Sequence, residues 1–233
     1  MIDISYEKNP ILYKDYEACQ SMLSTIKDEN YTYPENVTLF HIYTEFRTDK
    51  EVECLKSFLA TQNLEKCKLI IWSDYDISDN VLIQPYKQYL DLRLWDAKKE
   101  AEGTLLEGAA HLDAADDKHY LQSDLLRILV LYKYGGVWVD MDIIFLRDFK
   151  PILDQEYMYQ WGGDTDFGAH GACATVLSGF KESEFMSKLL QGVADSRIVP
   201  ATTIWGKDLF ATLWKAWPNF TIFPSPFFNT EWL

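Results

Sequence analysis

The sequence of 233 residues predicts an α/β fold in which helices flank a mostly parallel sheet. Two short segments rich in β-branched and aromatic residues, 37–43 and 67–72, lie on either side of an amphipathic segment at 49–62. Strand, helix and strand in this order are typical of a βαβ unit, whose two strands run parallel. The loop at 44–48 should therefore lie at the carboxyl edge of the sheet, where ligands bind in open α/β folds.

The other elements follow from the same periodicities. Residues 15–26 predict a helix that ends before the turn at 33–36. Residues 74–119 are polar with little strand character, and within them 90–102 predict a helix. Beyond Pro151 we expect two strands followed by two amphipathic helices, at 157–161, 172–178, 183–193 and 207–217.

The most informative stretch is an apolar helix followed by an apolar strand. Apolar residues from Leu121 to Tyr132 cover most of one helix, so this helix should be buried. Ser123 or a neighbour can cap its start, and Asp124 in the first turn would complement the helix dipole. Gly135-Gly136 should end the helix, because glycine readily adopts the left-handed conformation there. Residues 137–146 then predict a buried strand.

Two aspartates, Asp140 and Asp142, interrupt this strand. A buried carboxylate is costly unless it is paired or bound to a metal. Alternation along a strand would point both side chains to one side, where they could share a divalent cation. Mg²⁺ and Mn²⁺ prefer oxygen ligands and often complete their shells with phosphate and water. The alternative is a strand end whose carboxylates are capped by arginine or by backbone N–H groups.

Asp124 and Arg127 lie three residues apart and share a helix face. On so apolar a helix we expect this pair at an exposed rim or a cleft, and we favour a cleft. An ordinary surface ion pair is the alternative. The acidic segment between His111 and His119 could hold a metal, but a solvated loop is the preferred interpretation.

Composition excludes several classes of protein. The net charge of −14 and the pI near 4.6 argue against a partner made of nucleic acid, which would require a basic face. The four cysteines form no C-x-x-C pair and the histidines are scattered, so we expect free thiols and no zinc site. Phosphate-binding loops, nucleophile elbows and helical zinc-protease motifs are absent from the sequence.

Sequence features bearing on location are few. No apolar run approaches the roughly 20 residues that span a bilayer, and the N-terminus does not resemble a signal peptide. We expect a soluble domain, cytoplasmic as written, or in the Golgi lumen if it belongs to a longer membrane-anchored chain.

Residues 123–142 carry a combined motif: S-D-L-L-R, the rest of a helix, L-Y-K-Y-G-G, and then V-W-V-D-M-D. This order closely resembles the DXD-containing sugar-transferase family, which includes initiating α-1,6-mannosyltransferases and lactosylceramide α-1,4-galactosyltransferases. Weaker similarity extends across about 40–233. The segments at 206–210 and 227–232 look like altered versions of two late family signatures.

The resemblance implies a GT-A fold with a Rossmann-like sheet. It places a helical extension at 1–36 before one catalytic domain at 37–233, with a donor half at about 37–150 and an acceptor half at about 151–233. It implies Mn²⁺ or Mg²⁺ as cofactor and a UDP- or GDP-linked sugar as donor. The acceptor would be a glycan, glycolipid or glycoprotein, and anomeric configuration would be retained.

The family's site residues carry over by position. The resemblance implies that Asp142 binds the metal and that Asp140, its neighbour at the metal, contacts the ribose or sugar of the donor. Asp124 and Arg127 would bind the donor sugar. These matches lie inside the combined motif, and no catalytic base is implied.

Two further matches lie outside the combined motif. His41, Tyr43 and Thr44 would border the nucleotide base, and Trp232 would close over the diphosphate.

Two alternatives stay open at this point. A haloacid-dehalogenase-like phosphatase would use Asp140 as its nucleophile, although its motif normally opens the domain and continues with threonine or valine. A non-catalytic carbohydrate-binding protein on an enzyme fold is the other.

Overall fold

The computed structural model describes residues 2, 4, 8–13, 15–114, 120–160, 172–200 and 202–228. Its seven strands form one sheet in the order β3-β2-β1-β4-β6-β5-β7. Strands β3, β2, β1 and β4 are parallel, β6 runs antiparallel to β4 and β5, and β7 is parallel to β5. The strands are β1 Thr38–Tyr43, β2 Cys67–Ser73, β3 Leu90–Leu94, β4 Gly136–Val139, β5 Tyr157–Gln160, β6 Ala172–Gly179 and β7 Thr221–Phe223.

Helices join these strands, and several begin at side-chain caps. Asp15 accepts a hydrogen bond from the backbone of Ala18, and Ser183 accepts one from Met186, at the starts of two helices. Within the described ranges the α-helices are α1 Tyr16–Thr25, α2 Asp49–Thr61, α3 Ala97–Ala101, α4 Tyr120–Tyr134, α5 Glu184–Asp195 and α6 Lys207–Ala216. The predicted mostly parallel α/β sheet flanked by helices is thus confirmed.

Helix α4 and strand β4 are joined by a turn that requires glycine. Gly135 and Gly136 have φ angles of +69° and +113°, which L side chains rarely adopt. A Cβ at Gly136 would lie 2.1 Å from the carbonyl oxygen of Leu39 in β1. The glycine pair therefore ends α4 as predicted and allows β4 to pair with β1.

The predicted strand at 137–146 is wrong beyond Val139. Residues 141 and 142 form a turn, and Ile144 and Leu146 are exposed. Phe145 is buried because its ring packs against Phe40 and Phe58, while its backbone N–H donates to Ser57 of α2. The apolar pattern here reflects packing on a helix rather than pairing in a sheet.

Three smaller predictions also fail. Residues 90–102 are not one helix, because 90–94 form β3 beside β2 and only 97–101 are helical. Helix α4 already begins at Tyr120, so Ser123 lies inside it rather than capping it. For the same reason Asp124 lies beyond the first turn, where the helix dipole has little effect.

The prediction of free thiols is confirmed. All four cysteines are buried free thiols, and burial raises the pKa of the Cys19, Cys54 and Cys67 thiols to about 12. They are therefore inert packing residues. Across the described ranges, no helix has both the length and the apolar character needed to cross a bilayer.

Candidate active site

The candidate site lies at the carboxyl edge of the parallel strands. The register pairs Tyr43 of β1 with Trp72 of β2, and His41 with Trp138 of β4. Asp140 follows directly after β4, and its backbone N–H donates to the carbonyl of Thr175 in β6 at 2.8 Å. The antiparallel strand β6 therefore brings the second half of the chain to the same edge.

Asp140 is held by the helix and strand that precede it. Its Oδ1 accepts a hydrogen bond from the indole N–H of Trp138 at 2.6 Å and lies 3.5 Å from the guanidinium of Arg127. Burial raises the pKa of the Asp140 carboxyl above its ordinary value, Arg127 and Trp138 oppose this, and Asp142 adds to it. The carboxylate is fixed in place, and its side chain is still 31% exposed.

Asp142 stands in contrast, although it is only two residues away. It is exposed, and no hydrogen bond or ion pair of its carboxylate is found within the described part of the chain. The backbone N–H of Ile143 donates to the carbonyl of Asp140 at 3.3 Å, which closes a turn. The two aspartates are therefore brought together by a turn at the end of β4 and not by the alternation of side chains along a strand.

Arg127 connects three elements at the centre of the site. Its guanidinium lies 3.3 Å from Asp124, donates to the carbonyl of Ala174 at 3.0 Å and stacks 5.4 Å from the ring of Trp138. Asp124 and Arg127 are both buried, so the alternative of a surface ion pair is wrong. The buried Nε of Arg127 has no hydrogen-bond partner among the described residues, which leaves one N–H donor for a ligand.

The charges of this cluster fit a divalent cation. Among the described residues, Asp124 and Asp140 share the Arg127 guanidinium and Asp142 lies near Asp140, so the carboxylates outnumber the guanidinium by two. Asp140 and Asp142 offer the oxygen ligands that Mg²⁺ and Mn²⁺ prefer. No group of three metal-binding side chains is found in the described ranges, so water and phosphate oxygens would complete the shell.

The other predicted residues at this edge, on β1, are mostly engaged inside the protein. The His41 ring is fully buried, with Nε2 3.0 Å from the carbonyl of Gly135 and Nδ1 accepting from the Trp72 indole at 3.2 Å. Burial lowers the pKa of His41 to about 4. Thr44 is buried and its hydroxyl accepts from the backbone of Phe46.

Tyr43 is partly exposed at the same strand end. Its hydroxyl donates a hydrogen bond to Asp74. The pKa of Tyr43 is raised, first by burial and second by the Asp74 carboxylate. Of the three residues on β1, Tyr43 is therefore the one whose side chain borders the open edge.

Comparison with known proteins identifies the region that contains this cluster. The model of the glycosyltransferase sugar-binding region containing DXD motif matches residues 49–159. This matched region is just under half of the chain and is similar to DXD-containing glycosyltransferases. Among curated protein sequences, none matches the chain.

Solved structures of glycosyltransferases share the fold of this chain. The PaToxG glycosyltransferase is similar with a TM-score of 0.58 and 15% identity, over 91% of this chain and 80% of that one. Mouse xyloside xylosyltransferase 1 in its apo form is similar with a TM-score of 0.53 and 12% identity, over 81% and 84% of the two chains. The fold is therefore of the predicted GT-A type.

The remaining predicted positions are Trp232 and the acidic segment at 111–119. Trp232 lies outside the described residues, and so does most of the acidic segment before α4. His111, at the described end of that segment, bonds through Nε2 to the carbonyl of Ser196 at 3.0 Å. Sequence reasoning missed Trp138 and Thr175, which lie beside Asp140. Trp138 was inside the motif, but only the structure shows its N–H directed at the carboxylate.

Proposed function

We propose that the protein transfers a sugar from a nucleotide-diphosphate-sugar to a hydroxyl group of an acceptor, with a divalent cation and with retention of anomeric configuration. The glycosyltransferase family implies a nucleotide-sugar donor and a glycan acceptor. The proposal rests on two neighbouring carboxylates beside a buried arginine: Asp140 is fixed, whereas Asp142 is exposed and has no partner in the described part of the chain.

In this proposal Asp142 would be the principal metal ligand, and Asp140 would contact the ribose or sugar of the donor. A bound Mn²⁺ or Mg²⁺ would stabilise the negative charge of the departing diphosphate. Trp138 and Arg127 hold the Asp140 carboxylate in one orientation, so no reorganisation is needed when the donor arrives.

Asp124 and Arg127 would bind hydroxyl groups of the donor sugar. The pair is buried, and Arg127 keeps one donor N–H without a partner among the described residues. A buried donor of this kind favours ligands that can accept from it, because leaving it unpaired is costly.

The residues at the end of β1 would border the nucleotide base. Tyr43 offers a partly exposed ring at the carboxyl edge, whereas His41 would act indirectly by supporting Trp72 and the α4–β4 turn. Trp232 would close over the diphosphate.

Residues 37–150 would serve as the donor half and 151–233 as the acceptor half. Their boundary is not a gap, because Ala174 and Thr175 of β6 bond to Arg127 and Asp140. An acceptor bound by the second half would thus reach the donor directly.

The test is a thermal-shift screen of UDP- and GDP-linked sugars with Mn²⁺, repeated with EDTA. A ligand that binds only the folded state raises the melting temperature according to its occupancy. We expect a shift with one nucleotide class that EDTA removes and that Asp142→Ala abolishes. The matched control is Glu65→Ala, which removes an exposed carboxylate just before β2, at the opposite end of the parallel strands. Hydrolysis of a phosphomonoester with no response to any nucleotide would instead indicate a phosphatase.

A further inference from the structure

Gly206, the last residue before helix α6, touches the buried carboxylate of Asp124. A Cβ built on Gly206 would lie 2.8 Å and 3.0 Å from the two carboxylate oxygens of Asp124 and 3.2 Å from its Cγ. Real Cβ atoms are essentially never found closer than 3.0 Å to another heavy atom. The two residues are far apart in sequence, so this contact belongs to the tertiary structure alone.

Asp124 has little freedom to move away. It is buried on α4 and lies 3.3 Å from the guanidinium of Arg127. That guanidinium is itself held by the carbonyl of Ala174 and by Asp140. A shift of the Asp124 carboxylate would therefore be transmitted to Arg127 and from there to the end of β4.

The segment that carries Gly206 is equally constrained. The backbone N–H of Gly206 donates to the carbonyl of Thr203 at 3.0 Å, and its own carbonyl accepts from Phe210 at 3.1 Å. Trp205 and Phe210 are fully buried on either side. Because the indole of Trp205 also donates to Ser196, the glycine cannot retreat without disturbing the core.

We propose that Gly206 is a positioning residue for the transfer reaction: by lacking a side chain, it sets where the Asp124 carboxylate and hence Arg127 meet the donor sugar. This role rests on the proposed function. Gly206 acts through Asp124 and touches neither the donor nor the metal. With this role, a residue from the second half of the chain contributes to donor recognition, although it lies outside the motif around Asp124.

The experiment compares Gly206→Ala with Gly192→Ala. A Cβ at Gly192 would meet only the flexible end of Leu209, at 2.3 Å, so this control disturbs the packing of α5 on α6 without reaching Asp124. We expect Gly206→Ala to lower kcat/KM for the nucleotide-sugar by about 10- to 100-fold, the range for a small misplacement of a binding group. Affinity for the nucleotide diphosphate without sugar should stay within about twofold, because binding of that ligand does not involve Asp124. Gly192→Ala should retain activity.

A double variant separates positioning from general damage. In an Asp124→Ala background the clash is absent, so adding Gly206→Ala should cause little further loss. If Gly206→Ala alone fails to fold, the double variant should fold again. Additive losses, or a double variant that also fails to fold, would overturn the positioning role.

The outcomes also distinguish this role from the proposed function. A wild-type protein that responds to a nucleotide-sugar, with Gly206→Ala indistinguishable from it, rejects the role of Gly206 and leaves the function standing. A wild-type protein that binds no nucleotide-sugar rejects both. A crystal structure of Gly206→Ala gives a readout that needs no ligand: the Asp124 carboxylate should be displaced, and an unmoved carboxylate would count against the role.

Discussion

Two adjacent parallel strands, β1 and β4, end at the same edge of the sheet but present very different chemistry. At the end of β1, His41 and Thr44 are buried and their polar atoms bond within the protein. At the end of β4, the carboxylates of Asp124 and Asp140 flank the Arg127 guanidinium, and Asp142 has no partner among the described residues. Polar groups that are fully satisfied stabilise a fold, whereas groups left in excess need a ligand.

The comparison teaches where substitutions should affect function and where they should affect stability. Changes at the end of β4 should alter donor and metal binding at nearly constant stability. Changes at the end of β1 should alter stability at nearly constant donor affinity. Substitutions at the ends of β4 and β1 test this division.

Asp142→Ala should lower transferase activity by about 1000-fold, since a metal contributes several kcal/mol of charge stabilisation. The melting temperature without metal should not fall, because one of two mutually repelling carboxylates is removed. Activity assays with Mn²⁺ and melting curves in EDTA measure both effects. Wild-type activity in this variant would show that the excess charge at β4 serves no metal.

Arg127→Lys should lower kcat/KM for the donor by about 10- to 100-fold, the value of one or two charge-assisted hydrogen bonds. Lysine keeps the positive charge between Asp124 and Asp140 but cannot also reach the Ala174 carbonyl with a planar fork. Steady-state kinetics with the donor varied would test it. An unchanged KM and kcat would place Arg127 outside the donor site.

His41 should make stability depend on pH without affecting the donor site. Its pKa is about 4 in the folded protein and about 6.5 when unfolded. As pH falls from 6.5 toward 4, the unfolded state binds a proton that the folded state does not, so stability is lost on acidification. The loss should be about 1.6 kcal/mol between pH 6.5 and 5. Urea unfolding at both pH values measures this change in the free energy of unfolding, which should be seen in the wild type and be absent from His41→Gln. Parallel profiles of stability against pH for the two proteins would contradict the assignment.

Tyr43→Phe should have the smallest effect on stability, below about 1 kcal/mol, because its hydroxyl bonds to an exposed carboxylate. Donor affinity decides its role. A loss confined to the donor, measured by calorimetry, would place Tyr43 beside the base and extend the functional region to β1. No loss would keep the two strand ends distinct.

Local patterns account for what could be predicted from the sequence. The body of helix α4, its glycine stop and the start of β4 are specified by short-range periodicity and turn chemistry, so the sequence predicts them closely. The pairing of Asp124 with Arg127 also follows from helix geometry. Strand β3 is harder to predict, and the sequence wrongly suggests a helix there. Leucine alternates with polar residues at Leu90, Leu92 and Leu94, but the pattern is short and the side chains of this edge strand are only partly buried.

Long-range contacts account for what could not. The turn that places Asp142 depends on Phe145 packing against α2, and the orientation of Asp140 depends on Thr175 of β6. The approach of Gly206 to Asp124 joins residues from opposite halves of the chain. No periodicity records such contacts, since each depends on how separate elements pack.

The short turn at Gly135-Gly136 also bears on how the site forms during folding. It joins the helix that carries Asp124 and Arg127 directly to the strand that ends at Asp140. Closing a short loop costs little entropy, and each doubling of loop length adds only about 0.6 kcal/mol. Contacts between neighbouring elements also form faster than distant ones. The chain thus places its reactive charges on neighbouring elements, where closure is least costly, and contacts from β6 and Gly206 fix their positions.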